Sequence, residues 1–356
     1  MQMSKKASWN YAEERLLTVS RTFALNINIL SGKLHHSVLL AYLYLRIADT
    51  IEDDAVMKAA EKEKILGLFA DIFKSPELSD KKIEAFKNAL PSYFAKDSEK
   101  DANFDLCLKA DVVVPLLKSL PEKYAFPVRN VVVEMCGGMA KFCLRQEAAL
   151  TNGWFTLDKV KNLDEYCYYV AGIVGKLLTQ VFSADSLFIN DKRKAQLQKL
   201  DVSFGLALQV TNIVKDVIED STRHVCFIPE EICKRHGFEH SYELFGYNPD
   251  KTFESRRAAV LAELVQKAWK HLDDAIEYTK LIPNITMRTR LFCLWPLFMA
   301  AENLKLIGNG EVVFASQNKA KISRDTVKKI IASTMRHFYS NSWIDKTYKG
   351  LKNESC

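Results

Sequence analysis

The sequence predicts an all-α protein organised as a single domain over residues 1–356. Two observations predict this class. Apolar residues recur at helical spacing in one segment after another, and the alternating patterns typical of strands are few. The 356 residues include only 13 Gly and 9 Pro, and no long linker rich in Gly, Ser or Pro divides the chain. With 48% hydrophobic residues, the chain can bury a large core.

The helical segments follow one another along the whole chain. Residues 10–30 have an amphipathic helical pattern that is interrupted at residues 20–22. Residues 58–105 are polar and charged, which predicts one or two surface helices separated near residues 75–76 and 91–92. The later helical segments are 106–118, 128–150, 162–182, 254–280 and 288–305. The first two of these are predicted to be joined through Pro121 and Pro127.

An apolar helical stretch at residues 42–54, YLYLRIADTIEDD, ends in a dense acidic turn. Asp49 and Asp53 are four residues apart, so their carboxylates lie on one face of a helix. Like charges at this spacing repel each other. A hard divalent cation between them would convert the repulsion into coordination, and Mg²⁺ is usually held by one or two carboxylates together with substrate phosphates. The alternative is an acidic helix end that is simply solvated.

A second stretch, residues 209–220, has the similar pattern QVTNIVKDVIED. Asn212, Asp216 and Asp220 recur at every fourth position, with Glu219 beside them and apolar residues between them. Metal sites in helical bundles are built from such side chains on facing helices. The two stretches together predict a metal–diphosphate site. The alternative is two acidic faces that coincide without a shared role.

These stretches resemble the aspartate-rich motifs of the squalene/phytoene synthase family. Residues 49–53, DTIED, have the Asp-x-x-Glu-Asp form of squalene synthase, and residues 212–220 match the second motif of the family. Three more segments fit the family in order and at roughly its spacing, namely Ser20–Ala24 (SRTFA), Met135–Phe142 (MCGGMAKF) and Tyr166–Gly175 (YCYYVAGIVG).

The resemblance implies an isoprenoid synthase helical bundle, with the two acidic helices facing each other across a central apolar cavity. The implied reaction is the head-to-head condensation of two farnesyl diphosphates through presqualene diphosphate to squalene, with Mg²⁺ and NADPH as cofactors. The implied Mg²⁺ ligands are Asp49, Asp53, Asn212, Asp216 and Asp220.

The same resemblance implies which residues take part in catalysis and in substrate binding. Tyr166 joins the four aspartates as a catalytic residue near the proton transfer that closes the cyclopropane, for which diphosphate itself is the other candidate base. Tyr168 and Tyr169 are interpreted as core residues. The NADPH site is not identified. The implied substrate-binding residues are Ser20, Arg21, Phe23, Tyr42, Arg46, Glu52, Gln209, Lys215 and Glu219.

Two arginines lie where a charge needs a partner. Arg21 is surrounded by apolar residues, an expensive place for an unpaired charge. Arg46 precedes Asp49 by three residues, on the same helical face. Each is interpreted as a ligand of the diphosphate, and the alternatives are an intramolecular salt bridge for Arg21 and an ion pair with Asp49 for Arg46.

The second motif departs from the family at two positions. Lys215 stands where the family usually has Arg, which keeps the charge but loses the bidentate fork of the guanidinium group. Val225 stands where the family usually has another Arg, so the charge is lost unless Arg223 or His224 replaces it. Both departures bear on how the diphosphate of the intermediate is held.

Charge and cysteine content limit where the protein works. The net charge is +6, and residues 319–356, with nine Lys and Arg against three Asp and Glu, account for all of it. This segment is interpreted either as a basic amphipathic helix for peripheral binding to anionic lipid or as an ordinary solvated helix. Nucleic-acid binding is not expected, because no recognised fold accompanies the charge. With no Cys-x-x-Cys pair, no signal peptide and no apolar run near 20 residues, a cytoplasmic protein is expected.

Three functions remain in view. The first is a squalene synthase that uses NADPH, favoured by the form of the first motif. The second is an NADPH-independent relative that makes dehydrosqualene, phytoene or presqualene diphosphate, favoured by Val225. The third is a non-catalytic isoprenoid-binding subunit, which predicts the loss of a metal ligand, although all five are present.

Overall fold

The computed structural model describes residues 3–20, 22–151, 153–246, 248, 250–308, 310–315 and 321–354. It is overwhelmingly helical, which confirms the predicted all-α class. Strands in the described part occur only as β1 (Phe155–Leu157) and β2 (Val225–Pro229), which pair in parallel. The chain divides into two compact units, Met1–Arg145 with Leu177–Phe188, and Gln146–Lys176 with Ile189–Cys356. Their organisation as a single domain stays a prediction.

The first unit contains the N-terminal helices. The predicted interruption at residues 20–22 is confirmed, since the first helix ends at Val19 and the Ser20 hydroxyl accepts a hydrogen bond from the Phe23 amide at 3.0 Å. The helices are α1 (Lys5–Val19), α2 (Thr22–Asn28), α3 (Gly32–Glu52), α4 (Ala59–Phe73), α5 (Asp80–Ala89), α6 (Ser92–Asp97), α7 (Ala102–Leu108), α8 (Ala110–Val113), a 3₁₀ segment (Val114–Ser119) and most of α9 (Glu122–Leu150).

Helix α3 is the central helix of the first unit, because its apolar positions are almost completely buried and it contacts α1, α4 and α7. The Tyr44 hydroxyl donates to the Val113 carbonyl at 3.0 Å, and its ring packs on Phe73 with centroids 5.0 Å apart. Burying each such large side chain contributes about 1.5–3 kcal/mol. The last turn of α3, which carries the first acidic motif, therefore has a firmly packed base.

The second unit contains the remaining elements. They are the end of α9, β1, α10 (Val160–Cys167), a π-helical turn (Tyr168–Gly172), α11 (Ile173–Asp185, whose residues from Leu177 belong to the first unit), α12 (Asp191–Leu197), α13 (Asp201–Ser221), β2, α14 (Glu230–Arg235), a 3₁₀ segment (Ser241–Phe245), α15 (Phe253–Leu281), α16 (Met287–Ile307), α17 (Glu311–Ala315), α18 (Arg324–His337) and α19 (Asn341–Asn353).

Helix α13 packs against α15 and α16 and lies in very close contact with the π-helical turn. Two glycines permit this contact. A Cβ atom on Gly205 would lie 2.1 Å from the carbonyl oxygen of Ala171, and one on Gly175 would lie 1.7 Å from the carbonyl oxygen of Asp201. Because these distances are far below a van der Waals contact, any larger residue would push the backbones apart.

Arg290 fixes the C-terminal helices to the rest of the second unit. Its side chain is fully buried and donates to the carbonyl oxygens of Ile282 and Phe338, each at 2.7 Å, and to Asn341 Oδ1. Hydrogen bonds from a charged donor are stronger than neutral ones. Burial lowers the pKa of Arg290 to about 10, so the group stays charged at neutral pH.

The basic segment is therefore packed against the second unit over its described part, residues 321–354. Among the apolar residues of this segment, Ile330 is buried, whereas Met335 is 49% exposed. Its binding to a membrane stays a prediction. No helix in the described ranges is long and apolar enough to cross a bilayer.

Two predictions about the helices are wrong. Pro127 does not join two helices but lies within α9, which runs unbroken from Glu122 to Leu150. The bonds lost at the proline are outweighed by the buried apolar face that follows it, which includes Val128 and Val132. Residues 58–105 form the helices α4–α6 and the start of α7 rather than one or two surface helices, and several of their aromatic residues, such as Phe69, are buried.

Candidate functional site

The first acidic motif forms a crowded carboxylate face at the carboxyl end of α3. The Asp53 amide donates to the Asp49 carbonyl at 2.8 Å, so the last turn is regular and the two side chains lie one turn apart, as predicted. Glu52 adds a third carboxyl group next to Asp53. The helix dipole places partial negative charge at this end of the helix. Ionisation of the three carboxyl groups is thus opposed both by their mutual repulsion and by the helix dipole.

Burial and mutual repulsion make these groups difficult to ionise. Burial, and then the charge of Asp53, raises the pKa of Asp49 to about 7, and Arg46 opposes the shift only in part. Burial and the same neighbouring carboxylates raise the pKa of Glu52, while Lys62 lowers it. Desolvation and neighbouring negative charges both disfavour the ionised form of a carboxyl group. A bound cation would favour the ionised form of these acids.

Arg46 lies beside this face but is mainly held elsewhere. Its Nε donates to Asn103 Oδ1 at 2.9 Å, while its Nη1 is 3.9 Å from Asp49 Oδ2. Asn103 is itself fixed by Asp101 Oδ1, which accepts from its backbone amide at 2.7 Å and from its side chain at 2.9 Å. The guanidinium group is thus oriented without being neutralised. Sequence analysis missed Asn103, since no local pattern links it to a residue 57 positions away.

Three predicted substrate residues lie together next to the first acidic face. The rings of Phe23 and Tyr42 have centroids 5.8 Å apart, and 43% of Phe23 is exposed. Burial raises the pKa of Tyr42, and a hydrogen bond with Ser20 partly opposes this shift. Tyr42, Arg46 and Asp49 follow one another at helical spacing on α3. Arg21 lies outside the described residues.

The second acidic motif lies on α13 and has a cation of its own. Lys215 Nζ donates to Asn212 Oδ1 at 2.9 Å and lies 3.2 Å from Asp216 Oδ2. The predicted ligand pair is therefore bridged by a lysine. Gln209, two turns before Asp216, is half-buried, and Glu219 is exposed.

Arg223 supplies a second cation to this motif. Its Nη2 donates to Asp220 Oδ1 at 2.6 Å. Burial raises the pKa of Asp220, and Arg223 opposes that shift. Val225 is buried in β2, and His224 stacks on Trp154 with ring centroids 5.0 Å apart. Of the two suggested replacements for the missing arginine, Arg223 is the one that contacts the acidic motif.

Tyr166 is half-buried near the end of α10 in the second unit. Its ring stacks on Phe227 with centroids 4.5 Å apart and planes 20° apart. Sequence analysis missed Phe227 because it did not predict β2. Lys176 Nζ donates to the Tyr168 hydroxyl at 2.9 Å and lies 5.3 Å from its ring centroid, so Tyr168 is more than an apolar core residue. Tyr168 also begins the π-helical turn, a distortion that is frequent at functional sites.

The donor chemistry of both faces fits Mg²⁺. Each offers carboxylate oxygens at one-turn spacing, and burial together with the charge of Asp53 raises the pKa of Asp49 at the first face. No group of three or more His, Cys, Asp or Glu side chains with the geometry of a metal site occurs in the described part of the chain. Mg²⁺ in proteins usually takes one or two carboxylates from the protein and its other ligands from water and phosphate. The placement of both faces at one site stays a prediction.

Comparison with known proteins agrees with these motifs. The squalene/phytoene synthase family model matches residues 16–326. The squalene synthase of Schizosaccharomyces pombe is 30% identical over 312 residues, which cover 88% of this chain and 62% of that protein. The squalene synthase of Rattus norvegicus is 29% identical, with 87% of this chain and 65% of that protein covered. The chain thus spans less than two thirds of the length of these relatives.

Solved structures are similar to this chain in fold. A complex of TcSQS with the ligand BPH1237 has a TM-score of 0.77 and 24% identity, and covers 97% of this chain and 91% of that chain. A dehydrosqualene synthase in complex with a ligand has a TM-score of 0.60 and 19% identity, and covers 94% of this chain and 98% of that chain. At these identities the likeness shows the helical fold alone.

Proposed function

Because the chain belongs to the squalene/phytoene synthase family, we propose that it is a Mg²⁺-dependent prenyltransferase that condenses two farnesyl diphosphates head to head and carries the product on to squalene with NADPH. The observation that carries this proposal is the carboxylate face of α3. There, burial and the charge of Asp53 raise the pKa of Asp49, and a hydrogen bond to Asn103 orients Arg46 beside it. Carboxylates that can hold a metal ion, next to a guanidinium group that can bind phosphate oxygens, suit a metal-bound diphosphate.

In the first unit, Asp49 and Asp53 are proposed to hold Mg²⁺, which when bound neutralises the diphosphate as it leaves. Arg46 binds a diphosphate oxygen through its Nη1 group, which is not fixed by Asn103. Phe23 and Tyr42 form an aromatic wall for the apolar part of the substrate. Such a wall excludes water from the allylic cation, and aromatic faces stabilise cations by about 0.5–2 kcal/mol.

In the second unit, Asn212, Asp216 and Asp220 are proposed to hold Mg²⁺, and Lys215 and Arg223 to bind diphosphate oxygens. Both cations already contact the motif, so a diphosphate would compete with the carboxylates for them. When the double bond of the second substrate attacks the allylic cation, a proton must leave for the cyclopropane to close. Tyr166 is proposed to stand near that transfer, with its ring oriented by Phe227.

A second candidate is an NADPH-independent synthase that makes dehydrosqualene or phytoene, or stops at presqualene diphosphate. One observation favours it. Val225 is buried, and Arg223 is held by Asp220, so this chain lacks the free arginine that the resemblance implies beyond the second motif. A weaker hold on the diphosphate of the intermediate would affect its second ionisation, which precedes reduction by hydride from NADPH.

The test is product analysis with farnesyl diphosphate and Mg²⁺, with and without NADPH. We expect squalene only when NADPH is present. Presqualene diphosphate or dehydrosqualene in both reactions would support the second candidate instead. The matched control is Asp53→Asn, which should give no product under either condition.

If farnesyl diphosphate is not turned over, the same assay is run with geranylgeranyl diphosphate, because the sequence does not determine the length of the prenyl chain. Release of inorganic diphosphate from either substrate would exclude a non-catalytic isoprenoid-binding subunit. No release from either would contradict the proposed activity. The proposed location is the cytoplasm, with the basic segment as a contact to a membrane surface.

A further inference from the structure

His35 joins the first three helices of the first unit. Its ring lies near the start of α3, where Nε2 is 2.8 Å from Glu13 Oε1 of α1 and Nδ1 is 3.0 Å from the carbonyl oxygen of Ile27 in α2. The side chain is only 13% exposed. We call this pair of hydrogen bonds the His35 bridge. The proposed reaction gives none of its three residues a role, so the bridge needs an explanation of its own.

The two partners of His35 decide which form of the ring fits between them. A carbonyl oxygen accepts hydrogen bonds, and so does a carboxylate oxygen. A neutral imidazole has one N–H group and donates to only one of these partners, whereas the imidazolium form has two and donates to both. The His35 bridge is therefore complete only when the ring is protonated.

The surroundings of His35 favour the protonated ring. Burial by itself lowers the pKa of His35, but the hydrogen bond with Glu13, the hydrogen bond with the Ile27 carbonyl and the charge of Glu13 together raise the pKa above its ordinary value. A group with a raised pKa in the folded state loses its contribution as pH rises through that pKa. The bridge is therefore complete in mild acid and is lost on the alkaline side.

The elements packed around His35 add one more titratable group. His36 of α3 has its ring centroid 5.7 Å from that of His35, and burial and the charge of His35 lower the pKa of His36. Helix α2, with the sequence TFALNIN, has no titratable side chain and contributes only its backbone carbonyl. The response of the bridge to pH is thus set by His35 together with Glu13 of α1.

Helix α2, which the bridge holds, carries part of the proposed substrate site. Phe23 lies on α2, and its ring centroid is 5.8 Å from that of Tyr42 on α3. Asn26 follows one turn later and is 1% exposed, yet neither polar atom of its side chain has a hydrogen-bond partner within the described ranges. A buried amide without a partner is unfavourable. The position of α2 therefore depends on contacts elsewhere on the helix, among them the His35 bridge.

We propose that His35 is a positioning residue that, when protonated, holds α2 against α1 and α3 and thereby keeps Phe23 in place for the prenyl chain of the substrate. His35 acts through Phe23 and does not itself touch the substrate. Loss of the proton removes one of the two hydrogen bonds, so α2 opens more often and the substrate binds less tightly. The effect on the substrate rests on the proposed function, whereas the effect on α2 does not.

The experiment follows two readouts from about pH 6 to pH 9, across the range in which histidine side chains titrate. Hydrogen–deuterium exchange of the free full chain reports the opening of α2, after correction for the intrinsic effect of pH on exchange. Steady-state kinetics with farnesyl diphosphate and Mg²⁺ separate KM from kcat.

Three variants are compared with the wild type. His35→Arg keeps a permanent cation with donors for both partners, and His35→Gln is neutral at every pH. The control, His36→Gln, makes the same change at the adjacent histidine, whose ring stacks on Trp9.

Relative to His35→Arg, we expect the α2 exchange and the KM of the wild type each to rise about tenfold across this range, with kcat changed by less than about twofold. His35→Gln should have the high values at every pH, and the control should follow the wild type. Glu13→Gln serves where His35→Gln does not fold. It removes the charge that raises the pKa of His35, so the rise should move to lower pH by about one unit.

Two results would overturn the proposal. One is a wild type whose α2 exchange has the same pH dependence as that of His35→Arg, and the other is α2 exchange that responds as expected while KM does not. If no turnover occurs at any pH but α2 exchange responds as expected, the proposed function fails and the role of His35 in holding α2 is supported.

Discussion

The two acidic motifs have the same ligand spacing but opposite electrostatic surroundings. On α3, Asp49 and Asp53 face a third carboxyl group, and the nearest arginine nitrogen is 3.9 Å from Asp49. On α13, Lys215 and Arg223 contact Asp216 and Asp220 at 3.2 and 2.6 Å. Lys62 donates to the backbone carbonyl of Glu52 at 2.6 Å and not to a carboxylate. The carboxylates of the second face are therefore paired more closely with cations than those of the first.

This difference shows that equal motifs need not have equal roles. A face whose carboxylates have no close ion pair gains most from binding a metal, because the metal offsets a repulsion that Arg46 and Lys62 oppose only in part. A face with two cations already in place is suited to divide its attraction between metal and diphosphate. The predictions that follow test first what the faces share and then what separates them.

The largest expected effect is one that both faces share. Asp53→Asn and Asp216→Asn should each reduce turnover of farnesyl diphosphate by at least about a hundredfold, since even outer-shell partners of metal ligands cost 10–100-fold. A neutral amide does not replace a carboxylate on Mg²⁺. Turnover is measured by diphosphate release, and circular dichroism checks the fold. Asp80→Asn, at an exposed acid of the first unit, is the control, and near-normal turnover in either test variant would show that the faces are merely solvated.

Removing Arg223 should bring the charge balance of the second face closer to that of the first. Arg223→Ala leaves the buried Asp220 carboxylate without its partner, so we expect the free energy of unfolding to fall by about 1–3 kcal/mol at pH 7. The loss should shrink towards pH 4, because the raised pKa of Asp220 favours its protonated form in the folded state and about half of this carboxyl group is protonated in the unfolded state. Urea denaturation at both pH values measures it. Arg223→Lys, which keeps the charge, should lose less, and equal losses in the two variants would contradict the ion pair.

The smallest expected effect is on the stability of the metal-free protein, and it differs between the two faces. Because the pKa of Asp49 is raised to about 7 in the folded state, the folded protein binds more protons than the unfolded one between about pH 4 and 7, and its stability falls as pH rises. Asp49→Asn removes this loss. Since 37% of the side chain is exposed, we expect a gain of only about 1 kcal/mol at pH 8 and almost none at pH 4.5.

Asp216→Asn is the matched change on the other face. It removes an ion pair with Lys215, so it should leave the stability at pH 8 unchanged or slightly lower it. Thermal unfolding in EDTA compares the two variants. A similar shift in both would mean that the faces do not differ in charge balance.

The sequence predicts well which residues share a helical face, because helical spacing alone decides it. Asp49 with Asp53, and Lys215 with Asn212, follow directly from that spacing. Charge balance is different, since it depends on contacts that spacing does not encode. Asn103 reaches Arg46 across 57 positions, and Phe227 reaches Tyr166 through a strand too short to show an alternating pattern.

Helix boundaries show the same limit. Pro127 is a reliable local signal against a helix, yet the buried face of α9 outweighs it. The π-helical turn has no local signature at all. The turn includes Ala171, which is in close contact with Gly205, a tertiary feature that propensities do not report.

That contact has a consequence for how the chain can vary. Gly205 seats α13, which carries the second acidic motif, directly against the turn that follows Tyr166. A substitution that tilts α13 would therefore displace this turn as well. Variation in the side chains around the helix is accordingly less costly than variation at Gly205 itself.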